Sequence, residues 1–291
     1  MSKRIKNLIN IFLELGKVRI TFFVAISTSM GYVLYSNELD WNMALVGFGV
    51  FVLAVASSAL NHYQERDTDA LMDRTKGRPI PAGKIKPGNV LLFFLIAGSA
   101  GLFIVYSIGG LFAFFLGILA LIWYNVIYTP MKKKYAMAVV PGSLIGAIPP
   151  MIGWVSAGGG LNNHEIQAFA LFFFIWQIPH FWLLLLIYGK DYEKAGFPTL
   201  TGVFSSKQLS RITFVWISAL AVSSLLIPLF SISKSYYSLA ALIIASIYLL
   251  FKSREILKPV LEKTRIRKMF LVVNLFVLIV VAVISVEKLI L

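Results

Sequence analysis

Asn61-His62-Tyr63-Gln64-Glu65-Arg66-Asp67-Thr68-Asp69-Ala70-Leu71-Met72-Asp73-Arg74-Thr75-Lys76-Gly77-Arg78-Pro79 sets a dense run of acids and bases directly behind an apolar stretch that begins near Met43. Asn61, Glu65 and Asp69 recur every four residues, so on a helix they drift only about 40° per step and share one face over about 12 Å. That face offers oxygen ligands alone, which suit a hard divalent cation. Mg²⁺ is commonly held by one or two carboxylates together with substrate phosphates. Asp67 falls roughly 160° from Glu65 and is expected to point elsewhere. Arg74 and Arg78 should lie beyond the helix end, because Pro79 and Pro81 stop a helix, and their forked guanidinium donors suit phosphate oxygens. A solvated loop whose charges merely pair with one another is the plainer alternative. It is weakened because the pattern starts inside an apolar span, where ionisable groups are costly and usually functional.

The chain around this segment belongs in a bilayer: 58% of its 291 residues are hydrophobic and only 14% charged, with a mean hydropathy of +0.81, far from the average of soluble domains. Apolar runs near the roughly 20 residues that a hydrocarbon core demands are read at Thr21–Tyr35, Met43–His62, Val90–Ser107, Leu111–Tyr128, Ala136–Ser156, Ile166–Tyr188, Ile212–Phe230, Tyr236–Phe251 and Met269–Val286. The expectation is an all-α, polytopic bundle of nine transmembrane helices forming one membrane domain over residues 1–291. Basic residues test the count, since Lys and Arg gather on the cytoplasmic side. With the amino terminus cytoplasmic, Lys3, Arg4, Lys6, Lys17, Arg19, the Arg66–Lys86 loop, Lys132–Lys134, Lys190–Arg211 and Lys252–Lys268 fall on one side, leaving Lys234 and Lys288 opposite. The net charge of +14 is then a topology signal and an attraction to anionic lipid. Nucleic-acid binding is disfavoured, because the basic residues sit in short juxtamembrane loops without a nucleic-acid motif. Residues 1–17, amphipathic from Ile5 to Leu15, read as an interfacial helix. The absence of cysteine rules out disulfides, thiolate metal sites and a Cys nucleophile.

Two further connections on the same side carry unusual residues. Tyr124-Asn125-Val126-Ile127-Tyr128-Thr129-Pro130-Met131-Lys132 places a phenol, Tyr128, and an ammonium, Lys132, four residues apart, and both can donate to a diphosphate. An interfacial aromatic belt followed by positive-inside lysines would look similar. Trp176-Gln177-Ile178-Pro179-His180-Phe181-Trp182 sets His180 mid-span one turn from Gln177, on a helix that Pro179 should kink. His180 is a candidate ligand or acid–base group, or a satisfied core histidine. Asp191, in Lys190-Asp191-Tyr192-Glu193 at the end of that span, could complete a metal site begun by Asn61 and Glu65; Glu193 could do so less readily. His62 falls about 100° round the helix from Asn61 and could line an adjacent wall or hydrogen-bond another helix. Gly142, Gly146 and Gly153, with Pro149 and Pro150, suggest close helix approach and a bent fifth span.

Taken together, Asn61-x-x-x-Glu65-Arg66-Asp67-x-Asp69-x-x-Met72-x-Arg74-Thr75-x-x-Arg78-Pro79, Tyr128-Thr129-Pro130, Pro149-Pro150-Met151-Ile152-Gly153-Trp154 and Trp176-Gln177-x-Pro179-His180-Phe181-Trp182 resemble the UbiA superfamily of intramembrane prenyltransferases, and most nearly its haem-farnesylating branch. The resemblance spans Lys17 to Pro198. It implies a nine-helix UbiA-type bundle in a bacterial cytoplasmic membrane, with the active site toward the cytoplasm. It implies Mg²⁺ as cofactor, farnesyl diphosphate and haem B as substrates, and haem O as product. By the same resemblance Asn61, Glu65, Asp69 and Asp191 would hold metal; Arg19, Arg66, Arg74, Arg78, Tyr128 and Lys132 would grip diphosphate; His180 and His62 would contact haem. A haem A synthase or an oxidase-assembly protein becomes a candidate partner. Two departures stand out: Glu65 replaces the usual aspartate, and the second motif is only Lys190-Asp191-Tyr192-Glu193. The rival expectations are a prenyltransferase of an aromatic or quinone precursor and, more remotely, a polytopic transporter.

Overall fold

The computed structural model describes residues 3–230, 232–258 and 262–290, with the side chains of all of these except Lys3 and Arg4. The charges of Lys3 and Arg4, and residues 259–261 of the basic connection Lys252–Lys268, therefore lie outside the described residues. The helices are α1 (Lys3–Leu15), α2 (Val18–Ser36), α3 (Trp41–Leu71), α4 (Pro87–Leu121), α5 (Ile148–Ser156), α6 (His164–Lys194), α7 (Ser206–Leu229), α8 (Tyr236–Ser253) and α9 (Lys263–Ile290). A π-helical turn, Ile122–Tyr128, continues α4 into Thr129–Met131. No strand occurs among the described residues.

Eight helical runs among the described residues are long and apolar enough to cross a bilayer. One, Pro87–Met131, has 45 residues, more than twice what a span needs. It breaks at Gly110, where φ is 66° and ψ −161°, a conformation that only glycine adopts freely. The two arms pack on each other, Tyr106 against the ring of Phe114 at 5.9 Å and Gly117 beneath Leu102. The expected third and fourth spans are these two arms.

The expected fifth span, Ala136–Ser156, is broken by its prolines and glycines into a 3₁₀ turn (Ala136–Ala138), a helical turn (Val139–Gly142), a second 3₁₀ turn (Ser143–Gly146) and α5. Helix α5 then crosses α2 in backbone contact. A Cβ on Gly153 would stand 1.8 Å from Thr28 O, and one on Gly31 would stand 1.9 Å from Pro150 O. Only two glycines facing one another permit that crossing. Helix α6, by contrast, runs through Pro179 as one helix.

Two apolar clusters fill the bundle. One joins α6, α7, α8 and α9 through residues such as Phe172, Leu220, Leu242 and Val273; the other joins α2, α3, α4 and α5 through Tyr32, Val50, Val105 and Ile152. Helix α1 docks on α3 and α4 through Ile11 and Leu15 beside Ala59 and Val90, while Ile5, Leu8, Ile9 and Leu13 stay exposed. That split matches an interfacial helix with one face on protein and one in lipid. At the other end, buried Glu287 of α9 accepts from Ser233 Oγ (2.6 Å) and from the backbone N–H groups of Lys234 (2.6 Å) and Ser235 (2.9 Å). It thereby caps α8, whose own cap residue, Ser235, makes no side-chain cap bond.

Gly153→Ala is expected to force α2 and α5 apart and to cost about 1–3 kcal/mol, read as a lower melting temperature in detergent. Gly160→Ala, whose Cβ would meet nothing within 4 Å, should leave the melting temperature within a degree or two of wild type.

Candidate active site

The polar face of α3 meets the segment 122–132 in a parallel arrangement, as the partner numbers show by climbing together. Ser57 Oγ donates to Asn125 Oδ1 (2.6 Å), and Asn125 Nδ2 donates back to Ser57 O (3.0 Å). Gln64 Nε2 donates to Asn125 O (2.9 Å). One step on, Asn61 Nδ2 donates to Thr129 Oγ1 (3.2 Å), whose own proton goes to Tyr124 O (2.8 Å). One step further, Glu65 Oε1 lies 2.5 Å from Lys132 Nζ. The amides and hydroxyls of this ladder are satisfied inside the bundle, since lipid offers no alternative partner.

Asn61, Glu65 and Asp69 are 1%, 5% and 0% exposed, so the four-residue spacing does place all three on one buried face, and Asp67 points out with its side chain 84% exposed. Three cations meet that face. Lys17 Nζ donates to Asn61 Oδ1 (3.2 Å), Lys132 pairs with Glu65, and Arg78 Nη1 lies 2.7 Å from both oxygens of Asp69. Thr75 Oγ1 donates to Asp69 O (2.9 Å) and ties the loop after α3 to the same point.

Lys17 reaches the site because the chain breaks between α1 and α2. Its φ of 46° and ψ of 47° are left-handed, which costs a non-glycine residue about 1 kcal/mol. Burial, and then the nearby Arg78 charge, push its pKa down to about 7, with Glu65 opposing. For Lys132 burial also acts downward, but Glu65 overrides it and the net shift is upward. Although Lys132 stands beside it, Glu65 Oε1 is sealed from solvent without a properly directed hydrogen bond. A carboxylate oxygen so placed, with Asp69 and the Asn61 amide oxygen on the same face, fits a hard cation that shares its remaining positions with an anionic substrate.

Other predicted residues settle as follows. Tyr128 lies with its ring 5.5 Å from Lys132 Nζ in room left by Gly142, where a Cβ would come 2.3 Å from Tyr128 Cδ2. Tyr128, Lys132, Tyr192, Phe197 and Pro198 line one cleft, which brings Tyr192 of the second motif to the segment whose Lys132 pairs with Glu65. Arg74 stacks over the Tyr188 ring at 4.9 Å. Arg66 turns back on Tyr63, donating to its carbonyl (2.9 Å) and covering its ring at 4.6 Å. Arg19 is exposed. Asp191 is half-buried at the end of α6; no three His, Cys, Asp or Glu side chains among the described residues enclose a common metal position, so Asp191 is not drawn up with Glu65 and Asp69 into one cage. Glu193 instead accepts from Thr199 (3.0 Å) and Thr201 (2.9 Å). His62 is 1% exposed with both ring nitrogens sealed and unpaired. His180 Nδ1 lies 2.8 Å from Asn274 Oδ1. Sequence reasoning missed Lys17, Asn125, Thr129 and Asn274 as parts of this arrangement. Asn125 and Thr129 carried a signal, since with Lys132 they recur at four- and three-residue steps facing the α3 triad.

Residues 23–274 match the UbiA prenyltransferase family. The chain belongs to that family. A protohaem IX farnesyltransferase of Geobacter sulfurreducens is 37% identical over 76% of this chain and 81% of its own length, and one of Solibacter usitatus is 32% identical over 87% and 91%. In fold the chain is similar to a digeranylgeranylglyceryl phosphate synthase, with a TM-score of 0.77 at 21% identity over 98% of this chain and 100% of that one. It is also similar to a UbiA homologue of Archaeoglobus fulgidus bound to GPP and Mg²⁺, with a TM-score of 0.65 at 15% identity over 94% and 99%.

Lys132→Met leaves Glu65 buried without its cation and is expected to cost about 3–5 kcal/mol. The double variant Lys132→Met/Glu65→Gln should regain a large part of that loss. Thermal melting of the single and double variants in detergent measures the coupling, and strict additivity would show that the pair is not a unit.

Proposed function

We propose that the protein transfers the farnesyl group of farnesyl diphosphate to a vinyl group of haem B, with addition of water, to give haem O. The observation that carries the reading is the buried face on which Asn61, Glu65 and Asp69 meet Lys17, Lys132 and Arg78. Oxygen ligands and forked or pointed cations converge there at the end of an apolar span, as a metal-bound diphosphate requires. The relatives named protohaem IX farnesyltransferase support haem as acceptor, and the archaeal homologue bound to GPP and Mg²⁺ supports a prenyl diphosphate and Mg²⁺ here. The Lys and Arg distribution supports a site on the cytoplasmic side, and the bacterial relatives support a bacterial cytoplasmic membrane. A haem A synthase or oxidase-assembly protein would be the natural recipient of the product.

Asn61, Glu65 and Asp69 would hold Mg²⁺, and Asp191 would join them only by a movement of the end of α6. When bound, the metal supplies positive charge to the diphosphate oxygens. Lys132, Arg78 and Lys17 are set to donate to the same oxygens, with Tyr128 beside them; Arg74, Arg66 and Arg19 would join by leaving their present positions. These donors favour breakage of the allylic C–O bond with both electrons kept by the departing diphosphate. The aromatic faces of Tyr124, Tyr128 and Phe181, with ring centroids 5.8 and 6.2 Å apart in sequence, suit the farnesyl cation left behind. The vinyl π-electrons of haem B then form the new C–C bond, and water captures the cation beside the porphyrin, releasing one proton. An apolar surround keeps water from the first cation.

Membranes expressing the chain, extracted and profiled by mass spectrometry, should contain haem O. Glu65→Gln and Asp69→Asn should each lower it by about 10²-fold or more. A prenylated benzoate or naphthoate in place of haem O would overturn the acceptor and leave the diphosphate site standing.

A further inference from the structure

His180 of α6 is held by a residue of α9, 94 positions away in sequence. Asn274 Nδ2 donates to Phe270 O (2.6 Å), and Asn274 Oδ1 lies 2.8 Å from His180 Nδ1. A main-chain carbonyl only accepts, so the Asn274 atom beside Phe270 O must be its NH₂ group, and the amide oxygen must face the imidazole. Because that oxygen can only accept, Nδ1 carries the ring proton. In the neutral ring the lone pair is then on Nε2.

The surroundings keep the ring in this pose. Trp176, Phe181 and Phe270 lie with ring centroids 5.1, 5.5 and 4.9 Å from it. Nε2 has no hydrogen-bond partner among the described residues, yet it is absent from the unpaired atoms that are closed off from solvent. His62 differs on both points: each of its nitrogens is closed off, and neither is oriented by a partner. A histidine that binds metal through one nitrogen characteristically donates the other N–H to an oxygen that fixes tautomer and ring direction. Of His180 and His62, His180 alone has such an oxygen among the described residues.

We propose that Asn274 is a positioning residue for the haem substrate: by accepting from Nδ1 it holds His180 in the tautomer that offers Nε2 to the haem iron. The inference rests on the reading of haem B as the acceptor. It assigns a role in the reaction to α9, a helix outside the group of residues that meet at Asn61, Glu65 and Asp69.

The test uses the purified full-length protein titrated with haem B, reading optical spectra and, in the ferrous state, the iron–histidine stretching band by resonance Raman. The wild type should show a histidine-ligated haem. Asn274→Leu should weaken haem binding by about 10-fold and shift the iron–histidine band, and Asn274→Asp should move that band the opposite way by making the imidazole a stronger donor. His180→Gly should lose the band and regain a ligated spectrum with added imidazole. A residue that merely packs α9 on α6 would change melting temperature in Asn274→Leu without moving the band, and that result overturns the inference. So does a band kept in His180→Gly and lost in His62→Ala. Haem O made normally by an Asn274→Leu protein with an unshifted band would overturn this inference alone, whereas a wild-type protein that neither binds haem B nor makes haem O would overturn the proposed function with it.

Discussion

Charge taken out of water beside lipid has to be answered by charge, and that constraint organises the end of the bundle at which α3 closes. Glu65 and Asp69 are almost wholly enclosed, where an unpaired carboxylate costs several kcal/mol. Each is met by a cation from a different part of the chain: Lys132 from the end of the fourth span and Arg78 from the loop after α3. Lys17, from the break between α1 and α2, meets the Asn61 amide on the same face. Lys132, Arg78 and a Lys17 whose pKa burial lowers to about 7 therefore stand against two carboxylates. The positive surplus makes the face receptive to an anion, and the oxygen ligands make it receptive to a small hard cation. A metal-bound diphosphate is both at once.

How much of this was legible in the sequence follows from the range of each interaction. The triad Asn61, Glu65 and Asp69 was readable because a four-residue spacing on one helix is local geometry, and the same arithmetic sent Asp67 outward. Gly153 was readable as a contact glycine, though its partner Gly31, some 120 residues earlier in the chain, was not. Lys17 looked like one more positive-inside residue. Its role depends on a left-handed backbone at position 17, which nothing about a lysine announces. Arg66 and Arg19 were expected at the diphosphate by resemblance; here the Arg66 guanidinium covers the Tyr63 ring and Arg19 faces outward, positions that a side chain of that length can take as readily. Asn274 gave no sign of its role because its partner, His180, is on another helix 94 residues away.

The parallel pairing of α3 with the segment 122–132 explains why the third and fourth spans must form a tight hairpin. Two neighbouring helices joined directly would be antiparallel, and their ionisable ends would fall on opposite sides of the bilayer. The hairpin folded at Gly110 supplies one crossing out and one back. It returns Asn125, Thr129 and Lys132 to the side on which Asn61 and Glu65 lie. Fold topology and site chemistry are in this respect the same requirement: the polar ladder can be built only from helices that run the same way.

The loop between α3 and α4 lies over this ladder, and its fastenings are unequal. On the outside, Asp73 pairs with Lys194 and with Lys76, and Lys194, followed by Lys76, draws its carboxyl down to about 2. Both partners of the Asp73–Lys194 pair are more than half exposed, so solvent and salt screen it, and an exposed pair of this kind contributes little to stability. On the inside, Arg78 and Thr75 hold Asp69 where water does not reach. The strong fastening is thus also the one that a bound diphosphate or metal would compete for, because each wants either the guanidinium or the carboxylate. A ligand that took the Asp69 carboxylate or the Arg78 guanidinium would leave the Thr75 bond to the Asp69 main-chain oxygen and the exposed pairs as the loop's remaining fastenings.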